Sequence, residues 1–318
     1  MRVCVTGAAG FIGSHVVRHL LDVGAEVRGI DDLSTGSRDN LEDLGANGPE
    51  MTFVEGSILD PAALAEACHG ADSIVHLAAR PSVPRSIQDP VATHEANATG
   101  TLRVLEAARR IGDPLVIVAS SSSVYGANPA LPKHEGLMLA PLSPYAVSKM
   151  ATEQYTMAWQ HSYGQRSLAF RFFNVFGPRQ APGHAYAAVI PAFVYAALTG
   201  DPLTVHGDGT QSRDFTYVGT VAEVITTAVT EQISHPTPIN LAFGTRVSLL
   251  EVIDMLESQL GISLDRVHTE VRPGDVPHSQ ADNSLLRSVF GGITPVPLMQ
   301  GLAATVEWMR GDLKDSDS

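Results

Sequence analysis

The apolar positions in the first half of the chain fall into two alternating kinds of run. Short β-branched stretches, "MRVCVT", "EVRGI", "MTFVE", "SIVHLA" and "PLVIVAS", suit strands of a buried sheet. Between them lie longer stretches with helical spacing, "FIGSHVVRHLLDV", "PAALAEACH" and "ANATGTLRVLEAARR". Strand and helix in alternation predict βαβ units around a parallel sheet. "SLAFRFFNV" predicts a sixth strand, and "PINL" near residues 238–241 returns a further strand to that sheet. After the Gly/Pro-rich "GPRQAPGH" the pattern is less regular. "AYAAVIPAFVYAALTG" predicts a helix, and "DPLTVHGDGTQSRDFTYV" predicts a loop with short strands. "SLLEVIDMLESQL" and the segment around Trp308 predict helices of a smaller cap. No repeat, low-complexity tract or long linker separates the parts, so they are expected to be interwoven.

Composition narrows this picture. The 318 residues suit one large α/β domain, or a domain with a smaller partner. With 44% hydrophobic and 17% charged residues the chain reads as globular. A formal net charge of −13 argues against nucleic acid or an anionic membrane as the main partner. An anionic small molecule, held by a few local arginines, stays open. Two cysteines, Cys4 and Cys68, suit a reducing compartment and give no disulfide framework. No apolar run approaches the roughly 20 residues of a membrane span. "RVCVTG" reads as a buried strand and not as a signal peptide, so the cytoplasm is the expected place.

The first chemical motif lies between the first strand and the first helix. In "VTGAAGFIG", Gly7, Gly10 and Gly13 form GxxGxxG. Such glycines allow a tight turn and a close approach of backbone to a pyrophosphate, and the helix N-terminus adds N–H donors. The second strand ends in "GIDDLSTGS". Asp31 stands where an acid holds an adenosine ribose diol, roughly 20 residues past the loop. A carboxylate there repels a 2′-phosphate, which favours NAD over NADP. Arg38 is a mild counter-signal, since an arginine nearby could read that phosphate.

The second motif is "PYAVSK", which places Tyr145 and Lys149 one helical turn apart on the same side. A free tyrosine titrates near 10, so only about one in a thousand is phenolate at neutral pH. Two cations, Lys149 and an oxidised nicotinamide, could stabilise the anion. A fall from about 10 to about 7 corresponds to about 4 kcal/mol. Tyr145 would then be a usable base. "SSSSVYG" follows the fifth strand and offers four hydroxyls, Ser120 to Ser123.

Together these segments resemble the extended short-chain dehydrogenase/reductase family, and within it the UDP-sugar 4-epimerases of the UDP-galactose 4-epimerase type. The likeness covers nearly the whole chain: "TGAAGFIG", "SSSSVYG", "PYAVSK", "RFFNVFGPRQ", "SRDFTYV" and "RPGDVPHSQAD" occur in the family's order. "SVPRSI" and "YAAVIP" look most like the branch handling UDP-N-acetylhexosamines and their uronic acids. The resemblance implies a Rossmann-type doubly wound parallel sheet with a smaller interwoven α/β substrate-binding domain. Residues 1–175 and 215–247 are the expected NAD-binding part, and 176–214 and 248–318 the expected UDP-sugar-binding part.

Further roles are implied by the resemblance alone. Ser121, three places before the valine of "VYG", would bond the sugar's 4-oxygen and pass a proton to Tyr145. Ser122 and Ser123 would face the hexose, and Ser120 would be structural. The 4-hydroxyl proton would go to Tyr145 while C4 gives a hydride to NAD. The 4-keto sugar then turns over and the hydride returns to its other face, so NAD is bound and not consumed. Cofactor contacts are expected from Gly7, Gly10, Phe11, Ile12, Gly13, Asp31, Asp32, Ser34, Thr35 and Gly36. Ser57, Ile58, Leu77, Ala78, Ala79, Asn97, Lys149 and Phe173 complete that set. Substrate contacts are expected from Ser82, Asn174, Phe193, Arg213, Arg272, Asp275 and Ser279, with the backbone of Ala188 and Val189 meeting the uracil. Guanidinium forks suit pyrophosphate oxygens. The helices "ATGTLRVLEAARR" and "YAVSKMATEQYTMAW" carry apolar stripes that are ordinary core faces or, by resemblance, the four-helix bundle of a homodimer.

The chain also departs from its resembled relatives. Many carry an acid after the third strand to read the adenine amine, where this chain has Ser57. It lacks a basic residue near Ala181 often seen in relatives acting on UDP-glucuronate. Dehydratases and decarboxylases tend to carry an acid near Ser122 or Ser123, and none stands there. His15 and His19 have metal-ligand spacing on one helix but no third ligand nearby, so structural or surface roles are expected and no metal. The alternatives to a UDP-hexose 4-epimerase are a UDP-hexuronate 4-epimerase, another NAD-dependent nucleotide-sugar dehydratase or decarboxylase, and a non-catalytic NAD sensor.

Overall fold

A computed structural model describes residues 1–42, 44, 51–182, 188–271 and 276–316. The chain opens with β1 (Arg2–Thr6), α1 (Phe11–Asp22), β2 (Glu26–Asp31), β3 (Met51–Glu55), α2 (Pro61–Cys68) and β4 (Ser73–His76). Two short helices follow, α3 (Val83–Gln88) and α4 (Pro90–His94), then a π-helical turn over Glu95–Thr99. It continues into α5 (Gly100–Arg110), β5 (Leu115–Ser121), α6 (Pro144–Tyr163) and β6 (Ser167–Phe172). Next come β7 (Val175–Phe176), α7 (Val189–Thr199), β8 (Leu203–His206), β9 (Ser212–Arg213), β10 (Thr216–Tyr217), α8 (Val218–Thr230) and β11 (Ile239–Leu241). The last elements are β12 (Val247–Ser248), α9 (Leu249–Leu260), β13 (Arg266–Thr269), α10 (Ser284–Val289) and α11 (Leu298–Ser316).

Two compact units emerge: Met1–Asn128, Glu135–Phe172 and Val221–Leu241 form one, and Pro129–His134, Phe173–Thr220 and Ala242–Ser318 the other. The first is built on a seven-stranded sheet in the order β11-β6-β5-β4-β1-β2-β3. Every neighbouring pair is parallel. The order reverses beside β1, which places a topological switch point at the strands' C-terminal ends, where such sheets bind ligands. The sheet and its parallel sense are as the alternating pattern predicts.

Helix ends are set by local chemistry. The Ser143 hydroxyl caps α6 by accepting from the Ala146 N–H at 3.1 Å, Pro144 opens the helix, and Gly164 closes it at φ 71°. On one side of the sheet Leu64, Ala67 and Cys68 of α2 and Val104, Leu105 and Ala108 of α5 pack against Cys4, Ile30, Ile74 and Val116. The Cys4 and Cys68 sulfurs touch there at 3.7 Å as free thiols.

The same unit buries an ion pair. Glu153 on α6 and Arg171 on β6 meet through two bonds of 2.8 and 2.9 Å, with side chains 0% and 4% exposed. Ser120 donates to the same carboxylate at 2.5 Å. Arg171 also donates to the Tyr125 hydroxyl at 2.9 Å, which in turn donates to Asn240 at 2.7 Å. Strand β5, strand β6, strand β11 and helix α6 are thus tied at one point.

The second unit has its own core, in which α7, α9 and α11 contribute Ile190, Phe193, Val194, Val252, Ile253, Leu256, Leu302 and Val306. Leu203 and Val205 of β8 and Phe176 and Phe215 join it. Its strands pair in twos: β10 with β7, β12 with β9, and β13 with β8. Among the described residues no helix is long and apolar enough to cross a membrane.

Removing one charge of the buried pair leaves the other stranded. Glu153→Gln should therefore destabilise the protein by about 3–5 kcal/mol in urea unfolding. Replacing both residues by apolar ones of similar volume should recover most of that loss. A single substitution costing under about 1 kcal/mol would show that water reaches the pair.

Candidate active site

The glycine loop of the first unit is packed too tightly for side chains. A Cβ on Gly13 would lie 1.9 Å from the Gly7 carbonyl oxygen, and one on Gly7, at φ 72°, would lie 2.7 Å from the Ala78 nitrogen. A Cβ on Gly36 would meet the Ala9 backbone at 2.7 Å. The loop is pinned to β2 because the Gly7 N–H donates to the Ile30 carbonyl at 2.8 Å. Gly10 precedes α1 with no side-chain cap. The first N–H groups of α1, from Phe11, Ile12 and Gly13, therefore stand at an end that suits a diphosphate. These features fit a dinucleotide.

Asp31 closes β2 and accepts from the Ala9 N–H at 3.0 Å and the Leu33 N–H at 2.9 Å. Burial pushes its carboxyl up, against the pull of those N–H bonds. Asp32 is exposed and accepts from both the N–H and the hydroxyl of Ser34. Thr35 is exposed beside it. Arg38 forms an ion pair with Glu55 and stacks on the Phe53 ring at 5.2 Å. Its charge is thereby countered, which removes the sequence's one signal toward a 2′-phosphate. Ser57 accepts from the Leu59 N–H at 3.2 Å, and Ile58 is buried against Gly100.

Leu77, Ala78 and Ala79 follow β4 as a part-buried segment, with the Ala78 N–H donating to the Thr6 hydroxyl. Asn97 lies in the π-helical turn. Its amide accepts from the Arg80 N–H at 2.7 Å and donates to Ser148 at 2.9 Å, joining the segment after β4 to α6. His76 below is buried between the hydroxyls of Thr6 and Thr101 at 2.8 and 3.1 Å. Burial, and then Lys149, push its imidazole down to about 3, so it is neutral. Ser82 caps α3 at φ 95°, a conformation that strains a non-glycine residue.

Strand β5 runs on through Ser120 to Ser121, past the end of its apolar run, and Ser122–Tyr125 form a 3-10 turn. Ser120 is buried on Glu153, as its expected structural part requires. Ser121 accepts from the Ser123 N–H at 3.2 Å, and its hydroxyl lies beside the Tyr145 phenol, where it favours the phenolate. The Ser123 hydroxyl is buried without a partner among the described residues, a polar atom open to a bound molecule. Ser122 is part-buried beside it.

Tyr145 sits in the first turn of α6, Lys149 one turn on and Glu153 one turn further. Lys149 is buried, and its ammonium donates to the Ala119 carbonyl at 2.8 Å. Burial lowers it to about 8. Burial also pushes the Tyr145 phenol up, with the Ser121 bond pulling it down. This differs from the simple expectation of a lowered tyrosine. In the protein by itself desolvation outweighs the pull of the Ser121 hydroxyl.

The second unit holds a pocket of about 490 Å³. Asn174, Ala188, Val189, Phe193 and Arg213 line it, all expected from the sequence. Thr204, His206, Gln211 and Phe215 line it too and were not expected. The alternating exposure of "LTVHGDGTQ" gives no hint of which residues face a cavity. Phe173 is fully buried in this unit. Ser279 is part-buried, and its N–H donates to the Ser212 carbonyl at 3.0 Å. Arg272 and Asp275 lie outside the described residues. His15 stacks edge-on with Phe11, and burial lowers His19. Among the described residues no three His, Cys, Asp or Glu gather as metal ligands.

Known proteins match this arrangement along the whole chain. UDP-glucose 4-epimerase of Mycolicibacterium smegmatis is 38% identical over 314 residues, covering 98% of this chain and 99% of its own. The structure of UDP-N-acetylglucosamine 4-epimerase from Methanobrevibacter ruminantium, in complex with UDP-N-acetylmuramic acid, is similar with a TM-score of 0.92 and 36% identity over 98% of both chains. The Thermus thermophilus UDP-glucose 4-epimerase in complex with NAD gives a TM-score of 0.87 and 35% identity, over 98% of this chain and 99% of that one. Residues 3–242, from β1 through the last strand of the sheet, match the model of one family. By that match and these relatives the chain belongs to the NAD dependent epimerase/dehydratase family.

Proposed function

We propose that this chain is an NAD-dependent UDP-hexose 4-epimerase, acting on UDP-Glc/UDP-Gal and on UDP-GlcNAc/UDP-GalNAc. The observation that carries this is the placement of Ser121, at the end of β5, beside the Tyr145 phenol, with Lys149 one turn along α6. No acid stands at Ser122 or Ser123, so nothing in that turn favours elimination. The first unit is the NAD-binding part, with its glycine loop, Asp31 and a countered Arg38. The second is the UDP-binding part, with Arg213 for phosphate and α7 for the base. Arg272 and Asp275 belong to this reading as further phosphate and ribose contacts.

When bound, NAD supplies the acceptor and later the donor of one hydride. The protein's own residues manage the proton. Ser121 bonds the 4-oxygen and passes the 4-hydroxyl proton to Tyr145, and the path reverses after the ketone has turned over. The phenol needs positive charge alongside to release its own proton. Lys149, protonated below about 8, supplies one such charge. The hydride and the proton are both returned to the sugar, so the reaction is redox-neutral overall.

Ser279 replaces an aromatic ring's volume by a hydroxyl beside the sugar's C2 substituent, which leaves room for an N-acetyl group. We also read the protein as a cytoplasmic homodimer. Val147 and Tyr155 on α6 and Val91 on α4 are 46%, 38% and 66% exposed, an apolar surface suited to helix packing.

Proton NMR of mixtures with UDP-Glc and UDP-GlcNAc should show both donors equilibrating with their 4-epimers, with no reductant added and no NADH accumulating. Steady NADH in proportion to product would mean a dehydrogenase. No reaction with saturating UDP-GlcNAc would overturn the reading of Ser279, and Ser279→Tyr should abolish that activity while sparing UDP-Glc.

Tyr145→Phe should leave folding and NAD binding intact and lower turnover by roughly a thousandfold or more, through loss of the base. Retention of above about a tenth of the activity would remove Tyr145 from that part.

Lys149 sets function against stability. The unfolded chain holds this proton up to its ordinary 10.5 and the folded chain only to about 8. Stability therefore rises with pH across that window, and below it the buried ammonium weighs on the fold. Lys149→Met should raise the stability of the NAD-free protein at pH 7 by about 2–3 kcal/mol and abolish turnover. Urea unfolding should show the gain shrinking above pH 8. An unchanged or lowered stability at pH 7 would show that the amine is not desolvated.

A further inference from the structure

Arg213 and Phe215 line the pocket of the second unit, and Asp214 between them does not. Its side chain is fully buried behind the wall. There Oδ2 accepts from the N–H of Gly244 at 3.1 Å and of Ala281 at 3.0 Å, and Oδ1 accepts from the Thr245 hydroxyl at 2.9 Å. The Asp214 carbonyl accepts from the Asn174 amide at 3.3 Å. Among the described residues no cation pairs with the carboxylate. Burial pushes it up to about 6, against the pull of the three bonds, so it is still charged at neutral pH.

We propose that Asp214 is a positioning residue, which fixes the wall of the nucleotide pocket by tying three chain segments to one carboxylate. The proposal rests on the reading of this pocket as the UDP site. The first segment is β9 and its continuation, carrying Arg213 and Phe215. The second is the turn at Gly244 and Thr245 leading to β12, which pairs antiparallel with β9. The third is the stretch from Pro277 to Ala281, which contains Ser279. It lies along β9 through Ser212 N–H to the Pro277 carbonyl and Ser279 N–H to the Ser212 carbonyl, each at 3.0 Å. In extended chain alternate residues face opposite ways. Holding residue 214 from behind therefore sets the direction of 213 and 215 in front. A single tether acts on the phosphate-binding arginine, on Asn174 and on the strand bearing Ser279.

The full-length protein with NAD bound provides the test, using UDP as the probe in calorimetry and UDP-Glc for kinetics. Asp214→Ala should raise Kd for UDP and KM for UDP-Glc by about tenfold or more, with kcat within about threefold and NAD affinity unchanged. Asp214→Asn should keep most of the affinity, because an amide oxygen can accept from Gly244 and Ala281 and its NH₂ can donate to Thr245. Thr245→Val removes one of the three bonds and should weaken UDP by about three- to fivefold. It also decides the matter if Asp214→Ala fails to fold. UDP affinity within about twofold of wild type in both Asp214→Ala and Thr245→Val overturns the proposal. So does an asparagine variant as weak as the alanine one, since charge and not tethering would then be responsible. Wild-type protein that binds no UDP overturns the underlying reading of the pocket, an outcome distinct from a wild type that binds and a variant that binds equally.

Discussion

A carboxylate and a guanidinium taken out of water must satisfy each other almost completely, because either one alone is strongly destabilising. Glu153 and Arg171 meet that demand with two bonds, and the demand fixes more than the pair. Arg171 stands near the C-terminal end of β6 and Glu153 two turns beyond Tyr145 on α6. Once the two are in register, α6 cannot rotate or slide along the sheet. Ser120 joins the same carboxylate, which sets the level at which β5 ends. The hydroxyl of Ser121 and the phenol of Tyr145 meet because the layer beneath them allows one alignment.

Above that layer, burial works on the two titratable groups of α6 in opposite directions. It raises the phenol and lowers the ammonium, so each is pushed toward its neutral form. His76 beneath is neutral for the same reason and adds no charge of its own. At neutral pH Lys149 still carries its proton, so the site by itself holds one buried positive charge beside a neutral phenol. Its electrostatics are completed by what binds, which couples the tyrosine's basicity to occupancy.

Much of the first unit was legible in the chain. Strands covered on both faces appear as unbroken apolar runs, and the glycine loop could be placed because a strand precedes it and a helix follows. The stretch from Ser82 to Glu95 was not legible as helix. Proline commonly interrupts a helical pattern, yet Pro84 and Pro90 stand in the first turns of α3 and α4, where proline is tolerated, behind the caps Ser82 and Asp89. The end of β5 was obscured because serines look like a loop, and Ser120 is buried only because a carboxylate distant in sequence receives it. Arg171, a lone charge in an apolar strand, was a visible sign of an internal partner. That the partner is Glu153 is a fact of packing that spacing cannot reveal. Asp214 was hidden by its neighbour, since Arg213 accounts for the motif chemically and the fold alone shows which segments the aspartate gathers.

The pairing of Arg38 with Glu55 bears on how the protein can change over generations. On the proposed reading of the NAD site, discrimination at the ribose would be made twice, once by the carboxylate at the end of β2 and once by the acid at the end of β3 that pairs with the nearby arginine. Replacing Asp31 alone would leave Arg38 engaged, and freeing Arg38 alone would leave a repelling carboxylate in place. On that reading two acids, and not one, stand against a phosphorylated cofactor. The preference then rests on two positions, of which the exposed ion pair is the weaker.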